Sequence, residues 1–441
     1  MKNLIEINSK IKTFDKNIEV TGDKSLSIRC VLMASQAIGK SKIYNLLESE
    51  DVLNSLKAIS KLGIQYRKYK NYYEIYGFGI KGFHYKKNIK INAGNSGTLA
   101  RLILGLLIDA NKELTLIGDK SLAKRDFSRV TEPLRLFGAE IKSNNGKLPV
   151  KILGSKFLRP INYFENIGSA QCKSSVMLAS LKAPGITKIK AKKSRNHTEL
   201  LFKTLGLPIK IIQKKNYDYF YLNGENNFKS FNYRIPGDIS SCSFFLVLTI
   251  LSDNSKLTIK NVNINKSRTG IVSILNKMNA KIKFKNIKSY KNEPVADILV
   301  ESRKNLKAIN CPKNLNSAAI DEFLVIFLVA AKAKGISIFR DLGELNQKES
   351  PRLDIAIKFL KMIGVKVSRK NNNIKIYGNP NLDLKGNYVM KHFRKDHRVF
   401  MMSCVAALTF GGTWKIHDKD SINTSFPEFF KIIKVLGAKK F

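Results

Sequence analysis

Six short segments, most of them rich in Gly, Ser, Asn or Asp, each lie directly before an apolar stretch that predicts a helix. Small polar residues are preferred at helix N-caps, and a helix N-terminus presents unpaired N–H groups at the positive end of its dipole. Helix starts of this kind bind phosphate and carboxylate groups. Their shared pattern predicts a ligand with several negative charges. The charged side chains in or beside these starts are Lys24, Arg29, Arg101, Asp321, Asp396 and Arg398.

The elements that must position these residues follow from two alternating patterns, which repeat along the whole chain. One is an amphipathic helix that ends in Gly, or once in Asn, and leads into a strand. The other is a more apolar helix, a polar turn and a short strand. Together they predict an α/β fold of six repeats, each roughly βαβαββ and about 70 residues long. Left-handed residues that end the amphipathic helices are expected at Gly63, Gly138, Gly206, Asn279, Gly364 and Gly437.

Composition indicates a folded protein with a large core. The chain has 441 residues, of which 44% are hydrophobic and 25% charged, enough for two or three domains. No apolar stretch reaches the ~20 residues that a membrane span needs, and the N-terminus lacks a signal-peptide pattern. The five cysteines are scattered and form no metal-binding motif. We therefore expect a reduced, cytoplasmic protein without a metal or an organic cofactor.

The strongly basic balance has two interpretations. Lys and Arg number 78 against 34 Asp and Glu, a formal net charge of +44. Such a charge can indicate binding to nucleic acid, to an acidic membrane or to small anions. The basic runs, such as Lys86–Lys87, are short and spread out, so we interpret most of the excess as surface charge. A basic nucleic-acid-binding protein stays open as an alternative, although the aromatic residues form no stacking array.

The helix-start segments, with further motifs between them, occur in the order found in the 5-enolpyruvylshikimate-3-phosphate (EPSP) synthase family. The resemblance covers residues 21–441. No single motif is specific, and the strength of the signal lies in ten motifs in order: GDKSLSIR, GNSGTLAR, KRDFSR, SAQCKSS, SRNHTE, PGDISS, IDEF, LGELNQKESPRL, DHR and SFPEF.

The resemblance implies an enzyme that transfers the enolpyruvyl group of phosphoenolpyruvate to shikimate 3-phosphate, on the route to chorismate and aromatic amino acids. It also implies an inside-out, barrel-like α/β fold of two globes, each built of three repeats with helices inside and sheets outside. Residues 21–235 would form one globe, and residues 1–20 with 236–441 the other. Both substrates would bind between the globes. We expect a monomer whose partners are these two anions, with no nucleic acid and no membrane.

Position by position, the resemblance also implies two sets of substrate ligands. Arg suits such a site because its planar guanidinium grips a carboxylate or phosphate with two hydrogen bonds. Glyphosate would occupy the phosphoenolpyruvate pocket. The residues implied for shikimate 3-phosphate are Lys24, Ser25, Arg29, Ser169, Gln171, Arg195, Asp321 and Lys348. Those implied for phosphoenolpyruvate are Lys24, Asn95, Gly97, Arg125, Gln171, Arg352 and Arg398.

The reaction needs a base for the acceptor hydroxyl and an acid for the methylene carbon. By resemblance Asp321 is the base, Lys348 lies beside the same hydroxyl, and Glu349 is the proton donor. Lys24 is the fourth residue implied in catalysis. Adjacent Lys348 and Glu349 would tune each other's pKa.

Three positions depart from the family pattern. Ala170 replaces a Ser, which Arg195 would offset with its charge. Pro351 replaces an Asp beside Arg352, and Thr424 replaces a Lys. We interpret His392, His397 and His417 as structural, with His397 able to order Arg398.

One alternative within the same fold is UDP-N-acetylglucosamine enolpyruvyltransferase. That family uses a loop Cys in the region that matches residues 123–125, but this chain has no Cys between Cys30 and Cys172. Its N-terminal site is also Lys-Asn, whereas this chain has Lys24-Ser25. Phosphate release that requires both phosphoenolpyruvate and shikimate 3-phosphate would separate the two families.

Overall fold

The structure, a computed structural model, describes residues 3–438. Its chain divides into two compact units. The N-terminal unit comprises residues 22–235 and 291–293. The C-terminal unit comprises residues 1–21, 236–290 and 294–441, as far as these are described. Residues 1, 2 and 439–441, which the sequence assigned to the second globe, lie outside the described residues.

Between residues 3 and 438 the chain forms 13 α-helices and 22 β-strands. The helices are α1 (Lys24–Gln36), α2 (Glu50–Lys61), α3 (Gly97–Leu106), α4 (Ser128–Leu136), α5 (Ala170–Ser180), α6 (His197–Thr204), α7 (Ile239–Leu251), α8 (Gly270–Lys277), α9 (Asn316–Ala319), α10 (Phe323–Lys332), α11 (Arg352–Met362), α12 (His397–Phe410) and α13 (Phe429–Val435). The strands are β1 (Leu4–Ile7), β2 (Asp15–Glu19), β3 (Ile38–Tyr44), β4 (Gln65–Lys68), β5 (Tyr72–Phe78), β6 (Ile89–Asn92), β7 (Leu114–Ile117), β8 (Glu140–Asn144), β9 (Lys147–Leu153), β10 (Asn162–Glu165), β11 (Ile186–Lys192), β12 (Ile209–Gln213), β13 (Tyr217–Asn223), β14 (Asn232–Arg234), β15 (Lys256–Asn263), β16 (Lys283–Tyr290), β17 (Glu293–Glu301), β18 (Gly335–Phe339), β19 (Val367–Lys370), β20 (Asn373–Gly378), β21 (Leu384–Met390) and β22 (Gly411–His417).

Six small sheets, one for each predicted repeat, contain the described strands. The N-terminal unit has the orders β14-β3-β5-β4, β6-β7-β9-β8 and β10-β11-β13-β12. In each of these the first pair is parallel and the others are antiparallel. The C-terminal unit has the orders β2-β15-β17-β16, β18-β20-β19 and β21-β22-β1. The six-repeat α/β prediction is therefore confirmed.

Three of these sheets take a strand from a distant part of the chain. Strand β14 pairs with β3 in parallel, with Tyr233 opposite Ile43. In the C-terminal unit, β2 pairs with β15, with Asn17 opposite Thr258, and β1 pairs with β22. The repeat pattern alone did not identify β14, because three residues without an apolar alternation carry little sequence signal.

The apolar helix of each repeat lies in the interior of its own unit. All 13 residues of α7 and all 14 of α12 are buried, because these helices are apolar around their whole circumference. Helix α3 packs against α1 and α5, while α7, α10 and α12 pack against one another. A Cβ at Gly105 of α3 would lie 2.2 Å from the carbonyl oxygen of Ser175 in α5, so this contact requires glycine. Within each unit, helices inside and sheets outside is thus the observed arrangement.

The amphipathic second helices end as predicted. The second residue after each of these helices has a positive φ, between 68° and 110°, at all six expected positions. Five are Gly and the sixth is Asn279, with φ 73°. Because this feature depends on a few adjacent residues, the sequence alone could locate it.

Candidate active site

In the N-terminal unit, the start of α1 presents Lys24 and Ser25. The Asp23 carboxylate caps the helix by accepting a hydrogen bond from the Leu26 N–H at 2.9 Å. Lys24 Nζ lies 3.0 Å from Asp51 Oδ2, with the Lys24 side chain 18% exposed. Asp51 therefore orients Lys24 from the start of α2. No sequence motif indicates Asp51, because the contact joins two separate elements.

Arg29 lies one turn further along α1 and is nearly buried. Its Nε donates to Thr198 Oγ1 at 2.8 Å, and its Nη2 donates to Ser174 Oγ at 3.2 Å. A third hydrogen bond reaches the Ser25 carbonyl at 3.0 Å. Arg29 thus ties the start of α1 to α5 and α6, beside the predicted ligand Ser25.

The start of α3 brings Asn95 and Arg125 together. Ser96 caps the helix by accepting from the Leu99 N–H at 3.2 Å. Arg125 Nη2 donates to Asn95 Oδ1 at 2.9 Å, and Asn95 Nδ2 donates to Asp119 Oδ2 at 2.6 Å. These two hydrogen bonds, from Arg125 to Asn95 and from Asn95 to Asp119, hold the Arg125 guanidinium over the start of α3.

A second arginine, Arg101, reaches the same helix start and joins it to α5. Its Nη1 donates to Gln171 Oε1 at 2.8 Å, while Gln171 Nε2 donates to Thr98 Oγ1 at 2.9 Å. Burial lowers the pKa of the Arg101 guanidinium. Arg101 was noted among the charged helix starts but not among the implied ligands, although it contacts the predicted ligand Gln171.

Gly97 lies where these two arginines approach the backbone. A Cβ at this position would lie 2.8 Å from Arg101 Nη1 and 3.1 Å from Arg125 Nη1. The absence of a side chain therefore lets both guanidinium groups lie against the start of α3. The resemblance implies Gly97 as a phosphoenolpyruvate ligand but gives no indication of the two arginines beside it.

The start of α5 holds Ser169, and the loop before α6 holds Arg195. Ser169 Oγ accepts from the Cys172 N–H at 3.3 Å, and Ala170 is the first residue of the helix. The Arg195 carbonyl accepts from Lys173 Nζ at 3.2 Å. Lys173 also lies 2.5 Å from Glu199 in an ion pair that is almost fully buried. Lys173 thus holds the backbone that carries Arg195. No sequence motif indicates this role, because Lys173 lies inside α5.

In the C-terminal unit, Arg352 begins α11 and is surrounded by three carboxylates. Its Nε lies 2.9 Å from Asp396 Oδ2, its Nη2 lies 2.6 Å from Glu349 Oε2, and its Nη1 lies 3.5 Å from Asp321 Oδ1. Burial acts to lower the pKa of Arg352, but these carboxylates outweigh burial, so its pKa is raised. Pro351 precedes Arg352 at the N-cap position, where Asp396 fixes the guanidinium with two hydrogen bonds.

Asp321 and Lys348 form a less buried pair beside Arg352. Lys348 Nζ lies 3.3 Å from Asp321 Oδ1, and the two side chains are 27% and 14% exposed. The roles implied for Lys348 and Glu349, and the mutual tuning expected between them, stay predictions. Glu349 Oε2 accepts a hydrogen bond from Arg352 Nη2 at 2.6 Å.

Arg398 lies in the first turn of α12. Its backbone N–H donates to Asp396 Oδ1 at 3.0 Å, and its Nη1 donates to the Asp321 carbonyl at 3.0 Å. The neighbouring His397 lies 3.4 Å from Thr424 Oγ1, measured from its Nδ1. Arg398 therefore contacts the backbone of the predicted base.

The two units differ in the charge of these clusters. The N-terminal cluster contains five cations, Lys24, Arg29, Arg101, Arg125 and Arg195, with the carboxylates of Asp51 and Asp119, and its helices α3 and α5 are capped by serine. The C-terminal cluster contains Lys348, Arg352 and Arg398 with the carboxylates of Asp321, Glu322, Glu349 and Asp396. The first arrangement suits the binding of anions, and the second suits proton transfer by carboxylates held near cations.

The described residues form neither a metal centre nor a membrane-spanning helix. Within residues 3–438, no group of three or more His, Cys, Asp or Glu side chains is placed to hold a metal ion. The same part of the chain contains no helix with the length and apolarity to cross a bilayer.

The fold is that of the enolpyruvyl transferases. The enolpyruvyl transferase NikO from Streptomyces tendae matches 99% of this chain, with 98% of its own length covered, at a TM-score of 0.78 and 13% identity. EPSP synthase from Acinetobacter baumannii matches with a TM-score of 0.87 and 32% identity over 99% of both chains.

Sequence comparison identifies the family within this class. Residues 8–433 match the family model of EPSP synthase (3-phosphoshikimate 1-carboxyvinyltransferase). The 3-phosphoshikimate 1-carboxyvinyltransferase of Ruthia magnifica subsp. Calyptogena magnifica is 39% identical over 421 residues, 95% of each chain. The chain belongs to the EPSP synthase family, as the sequence motifs predicted.

Proposed function

We propose that the protein transfers the 1-carboxyvinyl group of phosphoenolpyruvate to the 5-hydroxyl of shikimate 3-phosphate and releases phosphate. The observation that carries this proposal is the family match across residues 8–433. Relatives with 35–39% identity over nearly the whole chain carry the name of this activity. The rival activity, transfer to UDP-N-acetylglucosamine, has no support from these relatives.

The cationic cluster of the N-terminal unit supports the proposed binding of two substrates that each carry a phosphate and a carboxylate. We assign shikimate 3-phosphate to Lys24, Ser25, Arg29, Ser169, Gln171 and Arg195, together with Asp321 and Lys348. We assign phosphoenolpyruvate to Lys24, Asn95, Gly97, Arg125 and Gln171, together with Arg352 and Arg398. The contact between Arg101 and Gln171 supports adding Arg101 to the residues that shape this pocket.

The chemistry requires one proton to leave the acceptor hydroxyl and another to reach the methylene carbon. We assign Asp321 as the base that removes the hydroxyl proton while the 5-oxygen bonds to C2 of phosphoenolpyruvate. Glu349 protonates C3, which yields a tetrahedral ketal that still carries phosphate. Phosphate then leaves with its bonding electron pair, and a methyl proton returns to Glu349, so the vinyl double bond is restored. Lys348 lies 3.3 Å from Asp321, which supports assigning both residues to the acceptor hydroxyl.

The direct test is phosphate release by the purified protein with each substrate alone and with both together. Release is expected only when phosphoenolpyruvate and shikimate 3-phosphate are both present. Replacement of shikimate 3-phosphate by UDP-N-acetylglucosamine should give no release. Phosphate release with the UDP sugar would instead assign the chain to the sister activity.

Asp321→Asn should lower kcat by about 100-fold or more, because loss of a general base costs ~10²–10⁴ in rate. Shikimate 3-phosphate binding, measured by calorimetry, should be largely retained. Asp354→Asn is the matched control, since this carboxylate lies in α11 and pairs with Arg369 near the surface. A variant of Asp321 with nearly unchanged kcat would remove this residue from the mechanism.

We further propose that the two compact units are the two predicted globes and that the enzyme is a cytoplasmic monomer. The five cysteines all lie among the described residues, where they are buried and form no disulfide, which supports a reducing compartment. Light scattering coupled to size exclusion should give a mass near 49.8 kDa. A dimer mass would contradict the monomer.

A further inference from the structure

The three inner helices of the C-terminal unit all begin at a buried carboxylate. Asp238, Glu322 and Asp396 occupy the N-cap positions of α7, α10 and α12. Asp396 pairs with Arg352, as described above. The other two carboxylates belong to a separate group with Arg268 and Arg398, and the proposed mechanism does not use Arg268 or Glu322.

This second group forms a continuous series of contacts. Arg268 Nη2 donates to Asp238 Oδ1 at 2.9 Å and to Ser240 Oγ at 2.8 Å. The Ser240 hydroxyl donates to Glu322 Oε1 at 2.5 Å. Glu322 Oε1 in turn lies 3.8 Å from Arg398 Nη1. The series thus runs from Asp238 through Arg268, Ser240 and Glu322 and ends at Arg398.

Burial makes the charges in this series depend on one another. Glu322 is 1% exposed and Arg268 is 2% exposed. A buried charge is costly unless cations and hydrogen-bond donors compensate it, so Glu322 favours structures in which Arg398 stays close. The flexible Arg398 side chain therefore loses alternative positions for its guanidinium group.

The position of Arg398 also affects Asp321. The same Nη1 atom that lies near Glu322 donates to the Asp321 carbonyl at 3.0 Å. A displaced Arg398 would release the peptide group that carries the proposed base. One buried carboxylate thus influences a proposed phosphoenolpyruvate ligand and the backbone of the base.

We propose that Glu322 and Arg268 are positioning residues, which hold Arg398 for phosphoenolpyruvate and steady the backbone at Asp321. This inference rests on the roles proposed above for Arg398 and Asp321. Neither positioning residue needs to touch a substrate. Their effect should therefore appear as weaker use of phosphoenolpyruvate in a protein that still folds and still binds shikimate 3-phosphate.

The first test is Glu322→Gln, which keeps the shape of the side chain and removes its charge. The Michaelis constant for phosphoenolpyruvate should rise about 10-fold, the size expected from one lost charge-assisted contact. Shikimate 3-phosphate binding, measured by calorimetry, should change less than about twofold, which also reports on folding. Equal losses for both substrates, or no change for either, would overturn the proposal.

A double variant tests whether Glu322 acts through Arg398. Arg398→Lys removes the bidentate guanidinium, so adding Glu322→Gln to it should raise the phosphoenolpyruvate constant little further. Fully additive effects would show that Glu322 acts by another route and would overturn the proposal. An inactive wild-type protein would instead refute the proposed function itself.

Arg268 is tested by comparing Lys with Gln. Arg268→Lys keeps the positive charge and should retain most of the wild-type constant for phosphoenolpyruvate, whereas Arg268→Gln should behave like Glu322→Gln. Asp109→Asn is the matched control, because it breaks a contact to the buried Lys182 in the N-terminal unit. This control should lower the unfolding midpoint without changing the ratio of the two Michaelis constants. The same ratio of the two Michaelis constants in wild type, Arg268→Lys, Arg268→Gln and Asp109→Asn would overturn the proposal.

Discussion

At the scale of single residues, Gly97 shows how a missing side chain shapes an anion site. Two guanidinium groups, from Arg101 and Arg125, lie within 3.1 Å of the position that a Cβ would occupy. Any larger residue must push at least one of them away. The requirement for glycine here comes from contacts and not from backbone conformation.

Gly97→Ala should therefore raise the Michaelis constant for phosphoenolpyruvate by about 10-fold, as expected for one disturbed charge-assisted contact. Glyphosate, which is longer than phosphoenolpyruvate, should lose more affinity than the substrate does. The constant for shikimate 3-phosphate should barely change. Steady-state kinetics with each substrate varied in turn, with and without glyphosate, checks these three outcomes.

Gly105→Ala is a useful contrast, because its Cβ would collide with the backbone of α5 and not with a mobile side chain. This variant should reduce the amount of folded protein. It should not change the Michaelis constant of one substrate selectively. Equal losses for both substrates in Gly97→Ala would make that variant resemble Gly105→Ala and would contradict the assigned pocket.

Single residues also show what the sequence could and could not predict about the site. Motif order identified Asp321, Glu349 and Arg352 by position. Their partners lie far away in sequence, as with Lys24 and Asp51 or Arg29 and Thr198. Only the fold brings such pairs together, so no spacing rule could find them.

At the scale of elements, the helix starts of the C-terminal unit carry internal anions. Asp396 caps α12 and accepts from Arg352, so one carboxylate stabilises both a helix end and a buried cation. Burial acts to raise the pKa of Asp396, but the charge and the hydrogen bond of Arg352, together with His397, outweigh burial and lower it. The ionised form is therefore the one that stabilises the folded unit.

Asp396→Asn separates these two contributions, because Asn is an equally good N-cap but carries no charge. The variant should lose about 3 kcal/mol of stability at pH 7, the low end for a broken buried ion pair, since Glu349 and Asp321 still face Arg352. Urea denaturation followed by circular dichroism measures this difference.

The pH dependence follows from the sign of the pKa shift. A lowered folded pKa means that the stabilisation is complete above the unfolded value of about 3.9 and is lost as the pH falls through the folded value. The difference in the free energy of unfolding between wild type and Asp396→Asn should therefore become smaller below about pH 4. Asp383→Asn, which breaks an exposed pair with Lys10, should leave the midpoint nearly unchanged at either pH. If this difference in the free energy of unfolding persists below about pH 4, the stability lost in Asp396→Asn would come from altered packing and not from charge.

Elements also divide into those that local sequence predicts and those that it does not. The residues that end the second helices were predictable because a left-handed C′ position depends on adjacent residues. Strand β14 was not, since its place in the first sheet depends on pairing with β3, nearly the length of the unit away.

At the scale of the whole molecule, the +44 charge acts on substrates before they bind. A cationic protein attracts phosphoenolpyruvate and shikimate 3-phosphate, and salt screens this attraction over about 10 Å at 0.1 M. Raising KCl from about 0.05 to 0.5 M should lower kcat/KM for either substrate about threefold or more, with little change in kcat. Steady-state kinetics at several salt concentrations measures this effect.

A control variant distinguishes the charge near the proposed substrate ligands from the charge of lysines elsewhere on the surface. Lys147 and Lys151 are exposed on β9. Changing both to Gln should leave the salt dependence nearly as it is in wild type. If kcat/KM does not change with KCl, the excess lysines lie on the surface without contributing to substrate capture.

The pairing of β1 with β22 and of β2 with β15 also has a consequence for synthesis. The ribosome makes β1 and β2 before their partners, and the partner of β1 at residues 411–417 follows roughly 400 residues later. At about 5–20 residues per second, roughly 400 residues correspond to a wait of roughly 20 to 80 seconds. During that time Glu6, Lys16 and Glu19, which are exposed in the finished strands, hinder pairing between nascent chains. Strands β1 and β2 thus pair long after they are made, and their charges protect them until then.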